Sequence, residues 1–222
     1  MDRMKGQEME RAAVIFDLDG TLWDSTEAVV KVWNDIFERE GFSVHMTPEY
    51  LHTLMGKTTD EIRTILFPDF SKEDQKKWMD ICSREEVAYL WKHGAVLYDD
   101  LEETLHTLSQ RYLLMVVSNC QLNYARAFIE SHKLEHFFTD YEEWERTRKT
   151  KAENIRMTME RNHVSRAVYV GDTISDEEAA RLAGLPFIYA SYGFGDSEAP
   201  DAEIHSLKEL PACVDSFLKA NI

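Results

Sequence analysis

The chain has 222 residues, of which 44% are hydrophobic and 30% are charged, enough to build the core of one domain with a modest insertion. This composition excludes disordered, collagen-like and low-complexity proteins. The 25 Lys and Arg residues against 41 Asp and Glu residues give a net charge of −16, so nucleic acid and anionic membranes are unfavourable partners.

The cysteines and the N-terminal residues indicate the cellular compartment. The chain has three widely separated cysteines, Cys82, Cys120 and Cys213, and no two of them form a CxxC motif. Neither a disulfide framework nor a zinc site is therefore predicted. The first eleven residues are polar, and no stretch approaches the roughly 18 apolar residues of a membrane span. We expect a cytoplasmic protein that is a monomer or a small homo-oligomer.

The first predicted strand is the apolar run 12–16, which ends abruptly at Asp17. The string DLDGT begins there and places a second acid at Asp19, two residues later. Gly20 permits a turn that lets both carboxylates face one cleft. A strand-ending turn with two solvated acids is the alternative, and the clusters found further along the chain make it the weaker one.

The segment 25–95 contains no convincing strand. Val29, Trp33 and Ile36 share one helical face, and further helical patterns follow. Inserted between the first strand and the next core element, this segment is predicted to form a helical cap over the site. We therefore predict a polar tail at 1–11 and a helical cap at 25–95. The α/β core is predicted to consist of two parts, 12–24 and 96–222.

Strands and helices alternate after the predicted cap. Apolar runs at 113–117, 167–170 and 187–190 predict three further strands, and their lack of alternation suits strands buried on both faces. Helical patterns separate them, and the helix near Asp176 is expected to close at Gly184. The predicted fold class is α/β, a doubly wound parallel sheet with an inserted helical cap.

Two clusters after the cap offer groups for an anion. Ser118 and Asn119 follow a strand and supply a hydroxyl and backbone N–H groups, although this pair is also an ordinary helix N-cap. A basic segment containing Lys149 and Lys151 opens a later helix. A solvated basic turn is the alternative interpretation of that segment.

Asp172 and Asp176 follow the strand at 167–170 and add two more acids. Because the carboxyl ends of parallel strands meet at one sheet edge, we expect these acids to lie close to Asp17 and Asp19. Four carboxylates at one edge repel one another strongly unless a divalent cation binds.

These four clusters, in this order, resemble the haloacid dehalogenase superfamily of aspartate-nucleophile hydrolases over essentially the whole chain after Arg11. The resemblance implies that Asp17 takes a phosphoryl group as an aspartyl-phosphate. It implies that Asp19 protonates the leaving oxygen and then activates water. Physically, a phosphate dianion can approach an aspartate only where positive charge offsets the repulsion.

The same resemblance implies a Mg²⁺ site and a phosphate site. Mg²⁺ would be held by the Asp17 carboxylate, the Asp19 backbone carbonyl and Asp172, with Asp176 nearby. The phosphate-binding residues implied are a hydroxyl, a backbone group and a lysine: Ser118, Asn119 and Lys151. Lys149 remains the competitor for the role of the lysine, because the residues after Lys151 depart from the usual pattern of the superfamily.

The helical insertion resembles the cap of the phosphoglycolate phosphatase and β-phosphoglucomutase branch. In that branch a cap loop, corresponding here to Gly56 and Lys57, reads the substrate. A solvated lysine at a helix start is the alternative for Lys57. Asp19 argues against the dehalogenases and phosphonate hydrolases of the superfamily, which lack or replace this acid.

The expected function is therefore that of a Mg²⁺-dependent phosphatase acting on a small phosphorylated metabolite, phosphoglycolate-like in type. One alternative is a phosphosugar mutase, which returns the phosphoryl group to a sugar instead of to water. A second is a non-catalytic module that binds phosphate, against which the full set of acids and the lysine argue.

Overall fold

The computed structural model describes residues 11–219, so residues 1–10 of the predicted polar tail lie outside the described range. Within it the strands are β1 (Arg11–Phe16), β2 (Trp23–Asp24), β3 (Val96–Leu97), β4 (Leu113–Ser118), β5 (Phe138–Glu143), β6 (Val164–Gly171), β7 (Phe187–Ala190) and β8 (Ala202–Ile204). The helices are α1 (Thr26–Glu40), α2 (Pro48–His52), α3 (Thr59–Leu66), α4 (Lys72–His93), α5 (Leu101–Ser109), α6 (Tyr124–Ser131), α7 (Trp144–Thr147), α8 (Lys151–Arg161), α9 (Ile174–Ala183) and α10 (Leu210–Leu218).

Six of the strands form one parallel sheet in the order β5-β4-β1-β6-β7-β8. At the carboxyl end of β1, Phe16 is in register with Val116 of β4 and Val170 of β6. The residues that follow β1, β4 and β6 therefore emerge side by side at one sheet edge. This sheet, with helices on both faces, confirms the predicted doubly wound α/β fold.

The two faces of β1 bury different side chains because successive residues of a strand point to opposite sides. Val14 and Phe16 belong to the hydrophobic cluster formed with α5, α6 and α10. Ala13 and Ile15 belong to the cluster formed with α8 and α9. A strand covered on both sides needs apolar residues at every position, which is why β1 reads as a continuous apolar run.

Helices α1 to α4 have a hydrophobic cluster of their own, centred on Trp33, Ile36 and Phe37 of α1. Met79 and Cys82 from α4 pack into the same cluster. The chain leaves the α/β core after β2, forms this helical layer, and returns to the core at β3. The two connections pair with each other as a short antiparallel ribbon, with Trp23 opposite Leu97.

The predicted strands are found with small shifts of their ends. The run 187–190 coincides with β7, and β6 begins three residues before the predicted 167. Helix α9 ends at Gly184, whose φ of 79° allows the left-handed cap expected there. β5 and β8 were not predicted. β5 is an edge strand of largely polar sequence, and β8 has only three residues.

Two further sequence expectations concern cysteines and membranes. Cys82, Cys120 and Cys213 are free thiols, in agreement with the absence of a predicted disulfide framework. Of the helices between residues 11 and 219, none has both the length and the apolar character needed to cross a membrane.

The C-terminal helix α10 is fastened to the core by an ion-pair group around Asp215. Its carboxylate accepts hydrogen bonds from Arg111 and from the Tyr112 hydroxyl (2.9 Å), and the Lys219 ammonium lies 2.7 Å away. Although burial acts to raise it, the bonds from Arg111, Lys219 and Tyr112 lower the pKa of Asp215 from 3.8 to about 2. Ionised Asp215 therefore stabilises the folded chain.

We predict that Asp215→Asn lowers the free energy of unfolding at pH 7 by about 1 kcal/mol, since a partly solvated ion pair is worth less than its pKa shift implies. A lowered folded-state pKa gives stability that is present above the unfolded pKa and is lost as the pH falls from about 4 to about 2. Urea unfolding at pH 7 and pH 3 should show the difference from wild type shrinking at pH 3. Asp80→Asn, which removes an exposed partner of Lys76, is the matched control and should change stability by less than about 0.5 kcal/mol.

Candidate active site

The carboxyl ends of three neighbouring strands bring the predicted site residues together. Asp17 follows β1, Ser118 ends β4 and Asp172 follows β6. The Asp17 backbone N–H donates to the Val170 carbonyl at 2.8 Å, which continues the β1–β6 pairing into the site. Lys151 reaches the same edge from the first residue of α8.

Three carboxylates and one ammonium form the centre of the site. Single oxygens of Asp17, Asp172 and Asp176 all lie within 4.8 Å of one another, and all three residues are buried. The Lys151 ammonium donates to Asp17 Oδ1 at 2.9 Å and to Asp176 Oδ1 at 2.5 Å. Lys149 is exposed, so of the two candidate lysines the structure brings Lys151 into the site.

The crowding of these carboxylates shifts their protonation. Burial, followed by the Asp176 carboxylate, raises the pKa of Asp17 to about 7, although Lys151 acts in the opposite direction. Burial, followed by the carboxylates of Asp176 and Asp17, raises the pKa of Asp172 well above its ordinary value. Burial acts to lower the pKa of Lys151, but Asp17 and Asp176 raise it overall. One ammonium therefore does not balance three acids.

This donor set fits a hard divalent cation. The three carboxylates are buried, converge on one point and offer only oxygen, which is the ligand atom that Mg²⁺ and Ca²⁺ prefer. A bound cation would relieve the repulsion that otherwise raises the pKa of Asp17 and Asp172. The carboxylates able to hold it are those of Asp17, Asp172 and Asp176.

Close backbone packing fixes Asp172. Its Oδ2 accepts from the Phe194 N–H at 2.8 Å, and its Oδ1 accepts from the Thr21 hydroxyl at 3.3 Å. A Cβ on Gly20, whose φ is 80°, would lie 2.1 Å from Asp172 Oδ2. A Cβ on Gly193 would lie 2.4 Å from Asp172 Cβ. Both positions exclude a side chain, so the glycine in DLDGT is needed for packing as well as for the turn.

Asp19 lies apart from the carboxylate group. Its Oδ1 accepts from the Ser25 hydroxyl at 2.6 Å and from the Tyr124 hydroxyl at 2.9 Å. Burial of the carboxylate raises the pKa of Asp19 to about 6, and these two bonds partly oppose the rise. Ser25 and Tyr124 were not predicted as site residues, because nothing in a helix-opening serine or an apolar-face tyrosine signals such a contact.

Asn119 connects the core to the loop between α2 and α3, which is the predicted cap loop. Its Nδ2 donates to the Gly56 carbonyl at 2.9 Å, and its Oδ1 is buried without a hydrogen-bond partner among residues 11–219. The sequence suggested an anion contact through the Asn119 backbone and did not suggest this side-chain bridge. Gly56 has a φ of 76°, and the loop that contains it lies over the site.

Two cavities meet at this bridge. The inner one, of about 60 Å³, reaches Asp17, Asp19 and Ser118. The outer one, of about 650 Å³, reaches Lys151. Asn119 and the cap loop line both cavities.

Lys57 lies at the rim of both cavities. The side chain is exposed, and its ammonium donates to the Thr53 carbonyl at 2.9 Å. This bond holds the ammonium on the cap itself, at the border between the inner and the outer cavity.

The family profile described as haloacid dehalogenase-like hydrolase matches residues 14–190 of the chain. The phosphoglycolate phosphatase of Rhodobacter capsulatus is 27% identical over 220 residues, which covers 92% of this chain and 97% of that protein. The phosphoglycolate phosphatase of Escherichia coli K12 is 25% identical over 227 residues, covering 89% of this chain and 90% of that one.

A solved structure with the same fold is CbbY from Rhodobacter sphaeroides in complex with phosphate. It superposes with a TM-score of 0.79 at 20% identity and covers 93% of this chain and 100% of that chain. At this identity the likeness shows the shared fold.

We predict that a divalent cation such as Mg²⁺ at saturation raises the Tm by about 5–10 °C, because it binds only the folded site. Asp172→Asn should abolish this rise. The same variant should raise the Tm measured in EDTA, since it removes one of the repelling carboxylates. Asp99→Asn, an exposed acid outside the site, should behave as wild type in thermal unfolding. A cation-dependent rise that survives Asp172→Asn would contradict this assignment.

Proposed function

The chain belongs to the haloacid dehalogenase-like hydrolases and is a phosphatase, and we propose that it hydrolyses a small phosphate monoester through an aspartyl-phosphate on Asp17, with Mg²⁺ as cofactor. The family predicted from the sequence is thereby confirmed. The observation that carries the proposal is the contact of Lys151 with Asp17 inside a group of three buried carboxylates. A lysine held against a buried aspartate is suited to oppose the charge of an incoming phosphate.

In the first step, an Asp17 carboxylate oxygen forms a bond to phosphorus and the bond from phosphorus to the ester oxygen breaks. Asp19 gives its proton to that oxygen, and a pKa near 6 is suited to this exchange close to neutral pH. Ser118 and the Asn119 backbone would hold the phosphoryl oxygens. Lys151 would lower the charge repulsion between Asp17 and the phosphate.

In the second step, Asp19 takes a proton from water, whose oxygen attacks the aspartyl-phosphate. The bond from phosphorus to Asp17 breaks, and inorganic phosphate leaves with the carboxylate restored. Asp17, Asp172, Asp176 and the Asp19 backbone carbonyl would hold Mg²⁺, which would supply positive charge to offset that of the phosphate. The Ser25 and Tyr124 hydroxyls keep Asp19 in place between its two tasks.

Helices α1 to α4 would act as the cap that encloses the leaving group. Support comes from their separate hydrophobic cluster and from the loop at Gly56 that lies over the site. Lys57 is the proposed cap-loop contact for the substrate at the rim. Because curated relatives carry the name phosphoglycolate phosphatase, 2-phosphoglycolate is the first metabolite to assay.

We predict that the protein hydrolyses p-nitrophenyl phosphate with Mg²⁺ and that EDTA abolishes turnover. Asp17→Asn should reduce kcat to background, because an amide is a far weaker nucleophile than a carboxylate. Asp99→Asn is the control for loss of an acid. The measurement is p-nitrophenol release, with circular dichroism to check the fold. Retention of a tenth of wild-type kcat in Asp17→Asn would remove Asp17 as the nucleophile.

Asp19→Ala should separate the two steps. With an alkyl phosphate the variant should lose roughly 10²–10⁴-fold in the first step, because a poor leaving group needs a proton. p-Nitrophenolate leaves without one, so a burst near one equivalent should precede a slow steady rate. Quenched enzyme should carry a hydroxylamine-labile phosphoryl group, located at Asp17 by mass. Single-phase kinetics without trapped phosphoenzyme would argue against Asp19 as the base for water.

A further inference from the structure

The inner cavity is lined by a third acidic residue besides Asp17 and Asp19. Glu86 of α4 lines it, together with Trp33 of α1 and Gln121 from the loop after β4. Glu86 is 4% exposed, although it lies in the most highly charged helix of the cap. A buried acid in the cavity that contains the proposed nucleophile faces the space available to the leaving group.

The partners of Glu86 are all hydrogen-bond donors. The Trp33 Nε1–H donates to Oε2 at 2.6 Å, and the Gln121 side-chain amide donates to Oε1 at 2.9 Å. Each carboxylate oxygen can accept a further bond. These two neutral donors occupy one acceptor position on each oxygen, so both oxygens keep the capacity to accept a bond from a ligand.

A cation for this carboxylate is missing from the protein itself. Between residues 11 and 219, Glu86 forms no ion pair with a lysine, arginine or histidine. Burial raises the pKa of Glu86 to about 8, while the bonds from Gln121 and Trp33 oppose the rise. At neutral pH the Glu86 carboxyl is therefore largely protonated in the free enzyme, and an ammonium arriving with the substrate would favour its ionised form, because buried carboxylates are ordinarily paired.

The remaining charges of the cavity disfavour an anionic leaving group. Its acids are Asp17, Asp19 and Glu86, and Lys57 is its only basic lining residue among those that the structure describes. The Lys57 ammonium is bonded to the Thr53 carbonyl at the rim. A substrate carboxylate pointing at Glu86 would meet a second buried carboxyl without a compensating cation.

We propose that Glu86 selects the substrate by accepting a hydrogen bond from an ammonium or hydroxyl group on the leaving group, and that it disfavours esters with a carboxylate there. This inference rests on the proposed phosphatase function and narrows its substrate class. The inner cavity, at about 60 Å³, has room for only a few heavy atoms beside Glu86, and any larger leaving group would extend toward the outer cavity. The substrate class therefore differs from the one named for the curated relatives.

Four esters of similar size test the proposal on the wild-type enzyme with Mg²⁺: 2-aminoethyl phosphate, 2-hydroxyethyl phosphate, propyl phosphate and 2-phosphoglycolate. The measurement is kcat/KM from phosphate release. We expect the two donor-bearing esters to exceed propyl phosphate by about 10- to 100-fold, the worth of a hydrogen bond to a charged group. The kcat/KM should be highest for 2-aminoethyl phosphate and lowest for 2-phosphoglycolate.

Glu86→Gln keeps the size of the side chain and removes its charge. The variant should lower the preference for 2-aminoethyl over propyl phosphate by about 10-fold or more, chiefly through KM. Glu85→Gln is the matched control, since the adjacent Glu85 is bonded to Arg39 outside the cavity. That control should keep the wild-type order. If Glu86→Gln does not fold, the ranking of the four esters by kcat/KM on the wild-type enzyme decides whether the proposal stands.

A wild-type preference for 2-phosphoglycolate or for propyl phosphate overturns the selection by Glu86 and leaves the phosphatase intact. A donor preference that persists unchanged in Glu86→Gln also overturns it. If neither these esters nor p-nitrophenyl phosphate is hydrolysed, the proposed function itself fails, and the selection fails with it. A donor preference that Glu86→Gln removes and Glu85→Gln keeps supports the proposal.

Discussion

Repulsion among the buried carboxylates of Asp17, Asp172 and Asp176 is the constraint on which the rest of the site depends. The fold forces them together, because strand ends that lie side by side deliver their next residues to one edge. Lys151 offsets part of the repulsion from the first turn of α8. These carboxylates therefore repel one another in the folded chain, and a bound cation would relieve that repulsion.

The two layers of the molecule have different tasks. The sheet places the proposed reacting groups at positions fixed by hydrogen bonds between strands, where a shift of one residue would reverse every side chain. The helices supply Trp33 and Glu86, whose positions depend on side-chain packing within their own cluster. Under the proposed function, substitutions in that layer would alter the surroundings of the leaving group, while the strand pairing that positions Asp17 and Asp172 would remain.

The core of the fold was predictable because fully buried strands carry continuous apolar runs, each ended by a polar cluster. β5 was missed because Glu142 and Glu143 are buried there, and arginines and the backbone of α6 satisfy them, which local sequence cannot show. Glu86 was missed for a related reason. It lies on the buried face of α4 with Met79, Cys82 and Leu90, and a charge in that stripe was the available signal.

The β2–β3 ribbon has a mechanical consequence. Because Trp23 pairs with Leu97 and Asp24 with Val96, the two chain crossings into the helical layer behave as one joint. A turn of the helical layer about this ribbon would change the angle between the layers while keeping their connection. Away from the ribbon, the layers are also joined by the Asn119–Gly56 bond, the Gln121–Glu86 bond and the stacking of His52 on Phe194. Under the proposed function, the departure of a product through such a turn would break these bonds and part of the packing of α4 on the core.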